Sequence, residues 1–343
     1  MDDIELLRHL GHDVPPADPV ARQAARDALV ALAMAPTVAN RATPRLVRVP
    51  RLIWTAASIA LAATVVLGVL PMVTAPSAAA SALNRAADVA AGLFDGTSNG
   101  YRHTKSVGAE LAGLGGTPDR PNGIWTLVPV AREIWIAPDG SGRLIETRGE
   151  PTWFGPADKA AWEAAGRPDL AGPAHVDTRF GPTPPGVDPA TPQPWPGSFS
   201  LENVDALPTD TAALRQFIDR RAAAAGAAND YERFTIVGDL LRETVAAPKL
   251  RAALYRVAAG LGGVELIGSV TDRAGRPGIA VAMTNSQSSR GLERRTLIFD
   301  PQTSMLLAEE DVLLNKVNWL DADPPIVIGY NTYLVSDIVP TIR

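Results

Sequence analysis

LIWTAASIALAATVVLGVLPMV, residues 52–73, runs for 22 residues without a charged side chain. At the α-helical rise of about 1.5 Å per residue it reaches about 33 Å, enough to cross the hydrocarbon core of a bilayer. A helix on a water-soluble surface keeps one polar face, and a run apolar on every side predicts a transmembrane helix instead. Arg41, Arg45, Arg48 and Arg51 stand before the run, and the next charge after it is Arg85. Positive residues are retained on the cytoplasmic side, and Trp54, about one turn into the run, sits where an indole meets the headgroup layer. The expected arrangement is a single pass through the plasma membrane, N-terminus cytoplasmic and the long C-terminal part extracytoplasmic. A cleaved secretory leader is the alternative, since Ser77 to Ala82 (SAAASA) offers small-residue cleavage sites after Ala80 or Ala82. The length of the run and the 51 residues ahead of it favour an uncleaved anchor.

The parts on either side differ in character. Residues 1–51 carry seven Arg against six acidic residues, with the positives gathered toward the span. They read as a short tail with a basic juxtamembrane linker. Ile4, Leu7 and Leu10 fall at helical spacing, and Asp18-Pro19 caps a second thin stripe of Val20, Ala24, Ala28 and Leu32. This is too little to build an independent core. The tail is either loosely ordered or completed by a cytoplasmic partner. Residues 74–343 carry 25 Lys and Arg against 31 acidic residues, an excess of negative charge that gives no footprint for nucleic acid. The chain has no cysteine, so disulfides, thiolate metal sites and cysteine nucleophiles are excluded and the outer part must be held by its core.

Beyond the span, residues 74–96 are expected to hold a juxtamembrane helix, with Leu83, Ala87, Ala90 and Phe94 on one side of SALNRAADVAAGLF (81–94). Residues 97–343 are expected to form one α+β domain. Tyr101 to Val107 reads as a strand. VAREIWIA (130–137), the turn PDGSG (138–142) and RLIETR (143–148) predict a β-hairpin, with Asp139 and Ser141 serving the turn. A short helix is expected from Pro156 to Ala165, and the proline-rich stretch 181–197 is an extended loop. Three helices follow. The first is capped by Thr209 and buries Leu214, Phe217 and Ile218; the second is marked by Phe234, Val237, Leu241 and Val245; the third opens at Pro248. The strands 264–271, 279–284, 293–299, 305–314 and 326–335 then predict an antiparallel meander. Within it, the acidic step Glu309-Glu310-Asp311 must turn a side chain outward or find a cation, with exposure the ordinary outcome.

No convergent set of catalytic groups can be assembled from these residues. His9 and His12 lie in the tail, and His103 and His175 stand apart without ligand spacing. No nucleophile elbow or phosphate loop is present. Gly260-Leu-Gly262-Gly263 follows a helix rather than a strand, so it is not a nucleotide loop. No catalytic, cofactor-binding or metal-ligating residue is assigned, and the protein is expected not to be an enzyme.

EIWIAPDGSGRLIET (133–147), LPTDTAALRQFI (207–218), PKLRAALYRVAAGLGGVELIGSVTDRAGRPGIAV (248–281) and LIFDPQTSMLLAEE (297–310) resemble an actinobacterial family of single-pass membrane proteins of unknown function. Its members are often encoded beside sigma factors of the extracytoplasmic-function type. The resemblance implies a signalling or anti-sigma-like role, with a cytoplasmic sigma factor or other regulator as partner. The tail is shorter than a full anti-sigma domain and lacks a His/Cys zinc motif. The outer part is similar in outline to lipoprotein-carrier and periplasmic sensor domains, which implies a curved half-barrel sheet over helices. Two functions stay open: an envelope sensor, or an anchored carrier of a hydrophobic ligand such as a lipid or lipoprotein.

Overall fold

In the computed structural model, residues 77–93, 100–115, 123–182, 204, 207–242 and 247–342 are described. The tail, the run 52–73 with Arg41, Arg45, Arg48, Arg51 and Trp54 around it, and residues 183–197 of the proline-rich loop lie outside them. Among the described residues, no helix is long and apolar enough to cross a membrane.

The first strand of the sheet in chain order lies beside the last. β1 (Tyr101–Leu114) pairs on one side with β2 (Ile124–Ile136), which continues to β3 (Gly142–Arg148) and β5 (His175–Phe180). On its other side β1 pairs with β10 (Ile326–Val339), followed by β9 (Leu306–Leu313), β8 (Glu293–Phe299), β7 (Pro277–Asn285) and β6 (Val264–Thr271). The two-residue β4 (Thr152–Trp153) adds to β2. Every pairing is antiparallel, and the result is one open sheet. The β2–β3 hairpin and the β6–β10 meander follow the sequence expectation. β5 does not, because its six residues sit in a Pro/Gly-rich stretch that reads as loop until β3 offers it a hydrogen-bonding edge.

At the β1–β10 seam the backbones approach closely. A Cβ added at Gly108 would lie 2.2 Å from the Tyr330 carbonyl oxygen, so only glycine fits there. The register shifts by one residue between Lys105 and Ser106. That bulge aligns Ser106 with Tyr333 and keeps their side chains on the face that carries the helices.

Five helices are described: α1 (Ala78–Ala91), α2 (Pro156–Ala164), α3 (Thr211–Ala224), α4 (Asp230–Arg242) and α5 (Pro248–Ala259). Ser77 caps α1 by accepting the Ala80 N–H at 3.0 Å. α3 is capped by Asp210, one residue beyond Thr209, because its carboxylate accepts the Ala213 N–H at 2.9 Å. Pro248 occupies the first turn of α5, where its missing N–H costs nothing. Helices α1, α3, α4 and α5 bury one core with the meander: Leu83, Leu214, Ile218, Phe234, Val237, Leu254 and Tyr255 meet Val281, Met283, Leu297 and Phe299. α1 therefore belongs to the folded unit Pro76–Arg343. Its stripe of Ala79, Leu83, Ala86, Ala87 and Ala90 is buried, and the small side chains let it lie close to α5. Tyr255 donates its hydroxyl to the Ser304 carbonyl at 2.8 Å, tying the β8–β9 turn to α5.

Leu83 is fully buried at the centre of this packing, whereas Leu93 just past α1 is 40% exposed. Leu83→Ala is expected to lower stability by about 2–4 kcal/mol, and Leu93→Ala by less than about 0.5 kcal/mol. Chemical denaturation followed by circular dichroism checks both.

Candidate functional site

The central strands carry a row of polar side chains on the helix-bearing face. Register places Glu146 of β3 opposite Arg132 of β2, Arg132 opposite Ser106 of β1, and Ser106 opposite Tyr333 of β10. Alternation along each strand puts Thr104, Ile134 and Asn331 on the same face. The C-terminal end of α4 brings Arg242 over them. Together these residues, with Glu110 and Val130, line a cleft of about 90 Å³. That volume suits a small polar group or a few waters and falls well short of the several hundred Å³ of a drug-sized or acyl-chain site.

Two buried glutamates anchor the walls. On the sheet side, Glu146 meets Arg148 at 2.5 Å and Arg132 at 3.9 Å. On the helix side, Glu309 accepts from Arg295 at 2.8 Å, Tyr333 Oη at 2.9 Å, Asn331 Nδ2 at 3.2 Å and Arg242 Nη1 at 3.4 Å. Asp239 of α4 lies 3.2 Å from both Arg242 and Arg295. Burial alone would push Glu309 up. Arg295 and Arg242, with the hydrogen bonds from Tyr333 and Asn331, outweigh it and bring its pKa from 4.5 down to about 2. Its neighbour Asp311 goes the other way, from 3.8 up to about 6. Burial raises it, Arg295 at 3.8 Å opposes only partly, and the charges of Glu309 and Glu293 add to the rise. Its Oδ1 is buried without a hydrogen bond.

The acidic step thus divides three ways. Glu310 turns outward to Arg273, whose guanidinium also covers the Tyr330 ring at 3.9 Å. Glu309 turns inward and finds its cations, against the ordinary expectation of exposure. Asp311 shares that inner face but receives the weaker share of Arg295. A signal for these groups was present in the strands. Arg132 and Glu146 fall on the parity of Ile134 and Leu144, and Arg295 on the parity of Leu297 and Phe299, so charge stands where the pattern is otherwise apolar.

His103 and His175 lie on different parts of the sheet. His103 stacks on Trp135 with ring centroids 5.0 Å apart, between Glu133 at 2.8 Å and Asp337 at 2.9 Å. His175 meets the Thr147 hydroxyl at 3.1 Å on another part of the sheet. Among the described residues, no group of three or more His, Cys, Asp or Glu is placed to hold a metal ion. Asp139 accepts from the Ser141 N–H and hydroxyl, which is turn chemistry. Gly260 ends α5 and Gly262 donates its N–H to Asp230 at 2.8 Å, so that stretch connects a helix to β6.

No family model matches the chain, and no curated protein matches it. Some solved structures overlap it loosely, two of them as follows. One, the complex structure of Pseudomonas aeruginosa MucA/MucB, is 12% identical with a TM-score of 0.27, covering 78% of this chain and 59% of that chain. The other, a crystal structure of MucB, is 12% identical with a TM-score of 0.21, covering 77% and 60%. The chain spans less than two thirds of the length of either, and overlaps this loose carry no argument about function.

A carboxyl whose folded-state pKa is raised binds its proton more tightly folded than unfolded. Asp311 therefore favours the fold at low pH, and that contribution is lost as pH rises from 3.8 through about 6. Asp311→Asn is expected to stabilise the protein at pH 7 by on the order of 2 kcal/mol and to give no gain near pH 3.5. Glu309 has the opposite sign, its stability present above pH 4.5 and lost as pH falls toward 2. Thermal melts of the wild type and Asp311→Asn across this range test the assignment.

Proposed function

We propose that this is a bitopic, non-enzymatic regulatory protein of the plasma membrane, with an outer α+β domain that senses an envelope ligand or partner. Its cytoplasmic tail contacts a sigma factor or another transcription regulator. The observation that carries the reading is the uncharged run 52–73 directly behind Arg41, Arg45, Arg48 and Arg51. The start of α1 supports an uncleaved anchor. Cleavage after Ala80 or Ala82 would fall inside α1, removing the Ser77 cap and taking buried Ala79 out of the core. The resemblance of stretches 133–147, 207–218, 248–281 and 297–310 to sigma-associated membrane proteins supports the nature of the partner.

The cleft favours a sensor over the carrier reading. Its lining includes two arginines and two glutamates in about 90 Å³, which suits a polar group and offers an acyl chain little apolar surface. The ionisable side chains around it are engaged with one another in ion pairs, which supports binding rather than acid–base chemistry.

Protease added to intact cells is expected to degrade the part beyond residue 76 and spare a tag at the N-terminus; the reverse pattern would remove the proposed topology. Deleting residues 1–40 is expected to abolish the transcriptional response while leaving the outer domain folded. A tail pull-down that returns no sigma factor or other regulator would remove the regulatory half of the reading.

A further inference from the structure

We propose that the cleft is a receptor for a neutral polyhydroxyl group, bound through the side chains of Thr104, Ser106 and Asn331. The inference deepens the reading of the outer domain as a sensor and rests on it. The charged part of the lining disfavours an ionic ligand. Glu146 is held by Arg148 at 2.5 Å and Arg132 at 3.9 Å, and Glu110 meets Arg148 at 3.7 Å. Arg242 is held by Asp239 at 3.2 Å and Glu309 at 3.4 Å. The lining therefore sets two guanidiniums, Arg132 and Arg242, against two carboxylates, Glu110 and Glu146, with no surplus of either sign. A charged ligand would lose hydration there without gaining a counter-charge.

The neutral part of the lining has hydrogen-bonding capacity to offer. Thr104 and Ser106 are 5% and 6% exposed and line the cleft, and among the described residues neither hydroxyl has a hydrogen-bond partner. Polar groups at such depth are ordinarily satisfied by water or by a ligand. Asn331 donates its Nδ2 to Glu309 at 3.2 Å, which fixes the amide and turns its Oδ1 into a further acceptor. Gly108 keeps that oxygen uncovered, since a Cβ there would lie 2.5 Å from it. Thr104 and Ser106 stand two residues apart on β1, so their side chains leave one face of the strand about 6.6 Å apart. Hydroxyls on neighbouring carbons of a polyol can meet both at once, each donating or accepting as its partner requires. A carboxamide carries its donor and its acceptor on a single carbon and reaches one of them only. The volume of about 90 Å³ admits one edge of a ring or a short acyclic polyol.

The test uses the purified full chain at pH 7, in a detergent without a sugar headgroup. Isothermal titration calorimetry is run with methyl glucoside, methyl galactoside, glycerol, glucuronate, glucosamine and acetamide. At least one of the neutral polyols is expected to bind saturably, with glucuronate and glucosamine at least about tenfold weaker. Glycerol binding as tightly as the better glycoside identifies an acyclic polyol as the source; a glycoside binding well above glycerol identifies a sugar ring. Thr104→Val and Ser106→Ala are each expected to weaken the polyol by about fivefold. Both variants are expected to melt like the wild type, because no hydrogen bond within the protein is lost. Ser269→Ala, on the edge strand β6 across the sheet, is expected to leave binding unchanged. Tighter binding of glucuronate or glucosamine than of every neutral polyol would overturn the proposal, as would acetamide binding as tightly as the polyols. So would the absence of saturable binding by any probe, or a Thr104→Val, Ser106→Ala double variant that melts like the wild type and binds the polyol equally well. None of those results touches the protease and tail-deletion outcomes, so the sensor reading stands or falls separately.

Discussion

The antiparallel pairing of β1 with β10 is the constraint on which this domain depends. It joins the first strand, Tyr101–Leu114, to the last, Ile326–Val339, and so welds the β2–β3–β5 half-sheet to the β6–β10 meander. Closing such a distant pair costs chain entropy before any contact compensates it, so the seam forms only once both halves can bury their faces. The lack of a side chain at Gly108 lets the strands meet, and the shift at Lys105–Ser106 decides which side chains look toward the helices. The cleft is a consequence. Three of its strands come from the N-terminal half and one from the meander, and no local segment contains it.

The polar walls of the cleft lie against the apolar core rather than apart from it. Glu309 lies directly opposite Leu297 across the β8–β9 pairing, and Arg295 sits two residues along β8 from Leu297. Such buried pairs are weak sources of net stability, because desolvation offsets most of the attraction. What they confer is position. Glu309 collects Arg295, Arg242, Asn331 and Tyr333, which fixes α4 against β9 and β10 at one geometry. The opposed shifts of Glu309 and Asp311, two residues apart on one strand face, follow from which of them has the better share of Arg295.

Local elements were largely legible in the sequence. The PDGSG turn at 138–142, the Pro248 helix start and the short links between the last strands rest on chemistry within a few residues, and each stands where that chemistry puts it. The cap of α3 moved only from Thr209 to Asp210. β5 went unread because the alternation of Val176, Thr178 and Phe180 is only six residues long within a Pro/Gly-rich stretch, and its bonds come from β3. The acidic step at 309–311 was half legible: alternation sets Glu309 and Asp311 on the face opposite Glu310, yet nothing nearby in sequence names Arg295 and Arg242 as their partners.

By itself, then, the sequence determined the α+β class of the folded unit and the order of most of its strands and helices. Those properties depend on hydrophobic length, periodicity and turn residues, all of which act over short stretches. Only the tertiary structure decided that β1 meets β10, that Arg132, Ser106 and Tyr333 share a row, and that Arg242 closes over them. Side chains brought together by register across distant strands leave no mark in any one of those strands, because the energy that selects the register is the burial of a common face.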